Sequence, residues 1–104
     1  MTGRLIPSEL SSRETLAAYQ QRGGYQASPA QLIAQVDAAG LRGRGGAAFP
    51  TARKLAAVAE RPGDKFVICN GEEGEPASLK DRCLMERRPH LVLEGTLLAC
   101  RAVG

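Results

Sequence analysis

The sequence predicts an α/β layer that is rich in helices and holds one buried strand of an incomplete sheet. Apolar residues recur at helical spacing along most of the chain, whereas one β-branched and aromatic run, 65–70, lies between turn signals and suits a strand covered on both faces. A strand without neighbours leaves its backbone polar groups unsatisfied. We therefore expect the missing strands to come from a longer chain, another subunit or self-association.

The N-terminal part of the chain is predicted to be an arm followed by a short helix. Residues 1–10 show no sustained period, whereas residues 12–22 have the spacing of a short helix that ends at a Gly-Gly pair. We divide the chain at this point, into the arm and short helix over 1–27 and a second region over 28–104.

The second region opens on a helix with recognisable end signals. Residues 28–31, Ser-Pro-Ala-Gln, provide an N-cap, a proline at the first helical position and a capping-box glutamine. The helix should run to about Ala39, because Gly40 supplies a C-terminal stop.

The remaining elements are predicted in the order helix, strand, helix, helix, with bounds of 51–60, 65–70, 78–87 and 89–102. Turn residues at 61–64 separate the first of these helices from the strand. The last helix carries apolar residues almost all round, which is typical of a buried helix.

Composition and charge exclude several classes of protein. The 104 residues allow one small domain or part of a larger one, and the net charge of +3 is too small to imply nucleic-acid binding. No apolar run reaches the roughly 20 residues of a membrane span or the length of a signal-peptide core, which predicts a cytoplasmic protein. Cys69, Cys83 and Cys100 form no C-x-x-C pair, so we expect small buried side chains and no disulfide framework or metal site held by this chain alone.

The most specialised stretch is 40–54, which holds four glycines and four cationic residues. Glycines allow left-handed backbone and close approach of another group to the peptide N–H groups. A helix that starts after this loop would bring backbone N–H groups, Arg44 and Lys54 to one point, where an anionic ligand would fit. A flexible loop is the alternative, because neither a Walker lysine pattern nor the spaced dinucleotide fingerprint is present.

An acidic loop follows the predicted strand. Ligands of open α/β sheets bind just beyond the carboxyl ends of the strands. The side chains that would face such a ligand are Asn70, Glu72, Glu73 and Glu75. Carboxylates repel phosphate but accept hydrogen bonds from hydroxyl groups, ring N–H groups or a carboxamide. The alternative is a solvated acidic turn.

Three stretches in a fixed order carry a resemblance to one known family. They are Gly-Leu-Arg-Gly-Arg-Gly-Gly-Ala-Ala-Phe-Pro-Thr from Gly40, Cys-Asn-Gly-Glu-Glu-Gly-Glu-Pro-Ala-Ser-Leu-Lys-Asp-Arg from Cys69, and Met-Glu-Arg-Arg-Pro-His-Leu-Val-Leu-Glu-Gly from Met85. They resemble the FMN-binding NADH dehydrogenase subunit of respiratory complex I, the 51-kDa or F-type family, which is related to diaphorase subunits. The resemblance implies that 28–104 is the N-terminal part of an FMN-binding domain, in a flavin-binding α/β layer, and that the chain is a fragment or truncated form.

This resemblance implies that FMN binds to the loop at the start of the 40–54 stretch, residues 40–50, which we call the glycine loop. Contacts to the phosphate and ribityl groups would come from the loop itself, with one lysine of the following helix also at the flavin: Gly43, Arg44, Gly45, Gly46 and Lys54.

The resemblance also implies contacts to the flavin ring and to NADH. Asn70, Glu72 and Glu73 would line the isoalloxazine ring, with Glu72 standing where the family usually has aspartate. Phe49 would stack on the adenine of NADH, and Glu75 would bind the nicotinamide nucleotide.

The implied reaction is hydride transfer from NADH to the flavin by stacking and proximity, for which the protein supplies orientation and no nucleophile. We therefore assign no catalytic residue and no metal ligand. Electrons would leave to a 4Fe-4S cluster whose ligands are absent from this chain, so we expect the chain alone to be inactive. Its partners would be other subunits of a complex I-like or diaphorase assembly, which would hold it peripherally at the inner membrane.

Besides Glu72, five positions depart from the residues that the resemblance implies, which are glycine or aromatic: Ala48, Ala52, Leu55, Ala57 and Ala77. Two other functions stay open. One is a non-catalytic assembly piece that keeps the fold and docks through an exposed strand edge. The other is a subunit of an ion-pumping ferredoxin:NAD oxidoreductase, although the residues at 80–82 and the Pro-His pair at 89–90 favour the complex I type.

Overall fold

The structure is a computed structural model, and it describes residues 6, 12–28, 30–43, 46–74 and 79–104. These residues form helices and no strand, so the predicted helix-rich character is confirmed. The helices are α1 (Leu16–Gln21), α2 (Leu32–Ala39), α3 (Thr51–Ala59), α4 (Lys80–Arg87) and α5 (Pro89–Val103). The ends of each helix lie within about four residues of the predicted ends.

The chain divides into two compact units. Unit 1 consists of 1–26 and 68–96, and unit 2 consists of 27–67 and 97–104. The first turns of α5 therefore belong to unit 1 and its last turns to unit 2.

An aromatic cluster forms the centre of unit 1. Tyr19 of α1 is 4% exposed, and its ring meets Tyr25 edge to face at 5.1 Å and stacks on His90 at 5.9 Å between ring centroids. The Tyr25 hydroxyl is 2.8 Å from Nδ1 of His90, and the Tyr19 hydroxyl donates a hydrogen bond to Glu94. These contacts attach α1 and the turn after it to the first two turns of α5, because aromatic pairs in this geometry are stabilising beyond their buried area.

A buried carboxylate lies beside this cluster. The side chain of Glu14 is fully buried, and its Oε1 accepts a hydrogen bond of 3.0 Å from Nε of Arg88. Nε of Arg22 lies 3.1 Å from Oε2, where it makes an ion pair without a hydrogen bond. The Glu14 amide donates to the carbonyl of Arg87 at 2.8 Å, so backbone and side chain both hold the start of α1 to the end of α4.

The ionisation of Tyr19 provides one testable prediction. Burial raises the pKa of the Tyr19 phenol well above its usual value, and the hydrogen bond to Glu94 raises the pKa further. The unfolded chain, with a tyrosine pKa of about 10, ionises first, so the stability that Tyr19 contributes is complete below about pH 10 and is lost as pH rises toward the folded pKa. In the Tyr25→Phe variant, whose only tyrosine is Tyr19, tyrosinate absorbance should appear at higher pH in buffer than in urea. Equal titration midpoints in buffer and in urea would contradict this prediction.

Helices α2 and α3 pack together in unit 2. Ala52 and Val103 are its buried apolar residues, each 5% exposed. Lys65 donates through Nζ to the carbonyl of Ala59 at 3.2 Å, which satisfies an acceptor at the end of α3.

The predicted start of α2 is wrong, whereas its end is confirmed. The helix begins at Leu32, and Gln31 has a left-handed backbone with φ of 61° and makes no side-chain cap. The Ser28 hydroxyl accepts from the Ala30 amide at 3.2 Å, so it satisfies a local turn instead of a helix terminus. At the other end, Gly40 has φ of 68° and its amide donates to Asp37, as expected of a glycine stop.

The strand predicted at 65–70 is not formed among the described residues, and the α/β layer is therefore not confirmed. Phe66 and Ile68 are 83% and 86% exposed. The physical reason is that a strand is defined by its ladder, and the described part of the chain offers this run no neighbouring strand.

Two predictions of burial are also wrong. Helix α5 was expected to be buried, but Leu93 and Leu97 are 53% and 55% exposed. Cys69 and Cys100, expected inside, are exposed, while Cys83 is partly covered. Leu93, Leu97 and Cys100 share one face of α5 at helical spacing, and we call this the α5 stripe.

None of the helices in the described ranges combines the length and the apolar character of a membrane span.

Candidate functional site

The glycine loop of unit 2 leaves α2 and returns to start α3. Its two arms are joined by an antiparallel bridge and by two backbone hydrogen bonds. These contacts are Arg42 with Pro50, the Gly43 amide to the Phe49 carbonyl at 2.9 Å, and the Thr51 amide to the Leu41 carbonyl at 3.0 Å. The loop is therefore a closed turn with a defined base.

One of the predicted flavin contacts in this loop, Gly43, lies at that base. Gly43 pairs with the opposite arm, and Gly46 adopts φ of 105°, which favours glycine. Nζ of Lys54 lies 5.7 Å from the centroid of the Phe49 ring, so two of the predicted ligand contacts are neighbours. The remaining predictions for the loop, at 44 and 45, lie outside the described residues.

The start of α3 adds positive character to the same loop. Pro50 is its N-cap residue and makes no side-chain cap hydrogen bond, and the first turn of α3 contains no acidic residue. A cavity of about 180 Å3 lies between the end of α2 and the start of α3, with Arg42 and Arg53 in its wall together with Asp37. The Thr51 amide already donates to Leu41, so the later amides of this first turn, together with the adjacent cations, are the groups that could bind a phosphate.

Ala48 is strained in this loop, and this yields a second prediction. Its φ is 51°, in the left-handed region that costs an alanine about 1–2 kcal/mol. Ala48→Gly should raise the free energy of unfolding by about 0.5 kcal/mol, because relief of strain exceeds the entropy that glycine adds to the unfolded chain. The neighbouring Ala47→Gly should lower it, since Ala47 does not have a positive φ. Urea unfolding of both variants tests whether the two changes in the free energy of unfolding have opposite signs.

The acidic loop of unit 1 is organised by its own side chains. Asn70 accepts through Oδ1 from the Glu72 amide at 3.0 Å, which forms a tight turn. Oε1 of Glu73 accepts from the Asp81 amide at 2.6 Å and so caps the start of α4. Glu72 itself is exposed, and the predicted NADH contact Glu75 lies outside the described residues.

Two features of this loop were not found from the sequence. Glu73 caps a helix from eight residues before its donor amide, whereas sequence signals for caps are read within three residues. Met85 of α4 fills the space next to Gly71, and a lone methionine gives no local signal.

The two loops belong to different units, so the structure defines each half of the predicted site by itself. In unit 2 it brings together Gly43, Phe49 and Lys54. In unit 1 it links Asn70 to Glu72, and Glu73 to α4.

Comparison with known proteins identifies the family. The family described as the Nuo51 FMN-binding domain matches residues 36–104, which include both loops. The chain belongs to this family of complex I flavoprotein domains, and the resemblance seen in the three sequence stretches is confirmed.

Several similar relatives carry the name of one enzyme, NADH-quinone oxidoreductase, and of its F subunit. The chain is 45% identical over 93 residues to the F subunit of Aquifex aeolicus, covering 83% of this chain and 22% of the relative. It is 41% identical over 98 residues to an F subunit, numbered 2, of Rhizobium meliloti, covering 86% and 23%. With the F subunit of Escherichia coli the identity is 39% over 98 residues, covering 85% and 22%. The chain thus spans less than a quarter of the length of these relatives.

Proposed function

We propose that this chain forms part of the FMN-binding domain of an NADH dehydrogenase flavoprotein subunit. The match of 36–104 to an FMN-binding family supports this most directly, because it includes both candidate loops. Whole relatives are named as the F subunit of NADH-quinone oxidoreductase, which supports an assembly with other subunits. A cytoplasmic location, peripheral to the inner membrane, stays a prediction from the sequence.

The residues of the glycine loop fit a flavin phosphate. Gly46 has a backbone that a larger side chain would strain, and Lys54 supplies a flexible cation near the loop base. The start of α3 carries no acidic residue and no side-chain cap, so backbone N–H groups and helix dipole favour an anion. The phosphate and ribityl groups would contact Gly43, Gly46 and Lys54, with Arg44 and Gly45 as further contacts predicted from the sequence.

The residue types of the acidic loop suit the isoalloxazine ring of a flavin. Asn70 and Glu72 form a turn, and the exposed Glu72 carboxylate can accept hydrogen bonds from ring N–H groups. Glu73 would act at the ring mainly by fixing the loop to α4, because one of its oxygens already binds the Asp81 amide. This refines the role that the resemblance implies for Glu73.

The proposed reaction needs protein outside this chain. FMN held by the two loops would supply the hydride-accepting and one-electron chemistry, so this chain would contribute binding and orientation. Phe49, 43% exposed beside Lys54, is available to stack on the adenine of NADH, and Glu75 would bind its nicotinamide nucleotide. A 4Fe-4S cluster held elsewhere in the assembly would receive the electrons.

We also propose that 65–70 becomes a strand when neighbouring strands are supplied. The exposed side chains of Phe66 and Ile68 alternate with the half-buried Val67, which is the pattern of a strand with one face uncovered.

The exposure of this run favours a second candidate function, a non-catalytic assembly piece that docks through the edge of the same strand. Light scattering after size exclusion separates the two: a monomer that binds FMN opposes the docking piece.

A comparison of FMN with riboflavin tests the proposed site. We expect flavin fluorescence titrations, on this chain and on the longer subunit that contains it, to give FMN a Kd at least about tenfold lower than that of riboflavin. The reason is that charge-assisted contacts to phosphate contribute about 1.5–3 kcal/mol. Equal Kd values for FMN and riboflavin would show that the glycine loop does not bind the phosphate group. No binding of either flavin by the longer subunit would contradict the proposed function.

A further inference from the structure

Met85 of α4 packs against the start of the acidic loop in unit 1. A β-carbon added to Gly71 would lie 3.0 Å from the Met85 sulfur and 3.1 Å from its methyl carbon. The end of the methionine side chain thus crowds the place that a side chain at 71 would occupy. An oxygen atom added to this sulfur on the loop side would compete with Gly71 for that space, so either the Met85 side chain turns away or Gly71 moves.

Met85 is partly exposed to solvent and also lines a small cavity. The residue is 43% exposed, so dissolved reagents reach it. A cavity of about 60 Å3 lies between it and the loop, and its wall consists of Cys69, Asn70, Gly71, Asp81, Leu84, Met85 and Val92. A sulfoxide oxygen placed in that pocket would lose part of its hydration and would lie beside the apolar side chains of Leu84 and Val92.

The loop contacts α4 at two points, one turn of the helix apart. Met85 meets Gly71, and one turn earlier the Asp81 amide donates to Glu73 at 2.6 Å. Between these points the Glu72 amide is held by Asn70. A displacement of Gly71 therefore acts directly on the turn at Asn70 and on the cap at Glu73.

We propose that Met85 is an oxidation site whose sulfoxide loosens the acidic loop. The oxidant is a hydroperoxide: its O–O bond breaks, one oxygen atom forms the S=O bond, and the other leaves as water or an alcohol. The sulfur loses two electrons and the peroxide gains them. The thioether becomes larger and polar at the point where it packs on Gly71, and methionine sulfoxide reductases reverse the change.

The consequence for flavin binding rests on the proposed function, since the same loop is the candidate contact to the isoalloxazine ring. The oxidation and the loosening of the loop do not rest on it. They are measured without flavin.

The chain is suited to a direct test because Met85 and Met1 are its only methionines. The full chain is treated with hydrogen peroxide, and peptide mass spectrometry follows oxygen addition at both. Amide exchange by NMR then reports on Glu72 and Asp81, with the Thr51 amide of unit 2, bonded to Leu41, as the internal control.

We expect both reporter amides to exchange about tenfold faster after oxidation, which corresponds to about 1.4 kcal/mol of local stability, while the Thr51 amide is unchanged. Methionine sulfoxide reductase should restore the slow exchange, which separates this effect from oxidation of the three cysteines. Met85→Leu, which conserves volume, should abolish the response to peroxide. Gly71→Ala should reproduce the fast exchange without peroxide.

Either of two results would overturn the inference. One is a Met85 that stays reduced when Met1 is fully oxidised. The other is complete oxidation of Met85 with unchanged exchange at Glu72 and Asp81. If Met85→Leu does not fold, the oxidised wild-type chain and Gly71→Ala still decide between these outcomes. If the loop loosens but FMN affinity in the longer subunit is unchanged, the oxidation site stands and the role of this loop in flavin binding fails.

Discussion

Replacement of Glu14 with alanine should lower the free energy of unfolding of the chain by about 3 kcal/mol, because removal of one partner from a buried ion pair leaves the other charge uncompensated. The Glu14 side chain is fully buried, and that of Arg88 is only 12% exposed. The substitution also withdraws the carboxylate that faces Arg22. Urea unfolding followed by far-ultraviolet circular dichroism gives the measurement.

Glu86 provides the matched control for this substitution. Its carboxylate pairs with Arg82 at 3.0 Å, the same distance as the Glu14 pair with Arg88, but the two side chains are 59% and 70% exposed. Glu86→Gln should therefore change the free energy of unfolding by less than about 0.5 kcal/mol. If both variants had equally small effects, burial would not make the Glu14 ion pair important for stability.

Replacement of Lys54 with alanine should raise the Kd for FMN roughly 10- to 100-fold, because a hydrogen bond to a charged group contributes about 1.5–3 kcal/mol. Lys54 lies in the first turn of α3, directly after the glycine loop, and its ammonium group is 5.7 Å from the Phe49 ring centroid. Flavin fluorescence titration of the FMN-binding form of the protein provides the test.

Arg61→Ala is the control for the Lys54 variant. Arg61 is an exposed cation just beyond the other end of α3, so its removal changes net charge equally but takes no contact from the glycine loop. FMN affinity should stay within about twofold in this variant, as expected of a screened surface charge. If Lys54 contacts the phosphate, the riboflavin Kd should change less than the FMN Kd in Lys54→Ala. An unchanged Kd for both flavins would exclude Lys54 from the site.

The elements that the sequence predicted well are those with local signals. Helix α3 starts after a proline, and α2 ends at Gly40, because the residues that set these ends lie within one turn of them. The start of α2 was mistaken because Ser28 bonds two residues ahead instead of capping a helix. The 65–70 run was mistaken as a formed strand because ladder partners are never encoded in the run itself.

The candidate site was only partly predictable for a similar reason. Its residue types and their order carry the family resemblance, and the family match over 36–104 bears this out. The contacts that fix the loops are not local: Glu73 reaches an amide eight residues away, and Glu14 reaches Arg88 across 74 positions. No period or spacing rule links residues so far apart, so these contacts required the folded chain.

The cysteines of this chain can report which of its exposed apolar surfaces becomes covered by other protein. Cys100 is exposed on the face that also carries Leu93 and Leu97, and Cys69 is exposed beside Ile68 in the uncovered run. A thiol-reactive label therefore marks one cysteine next to each uncovered apolar surface, while Cys83 is partly covered and serves as a slower reference. Protection of each thiol when other protein is added would map, surface by surface, which part of this chain becomes buried.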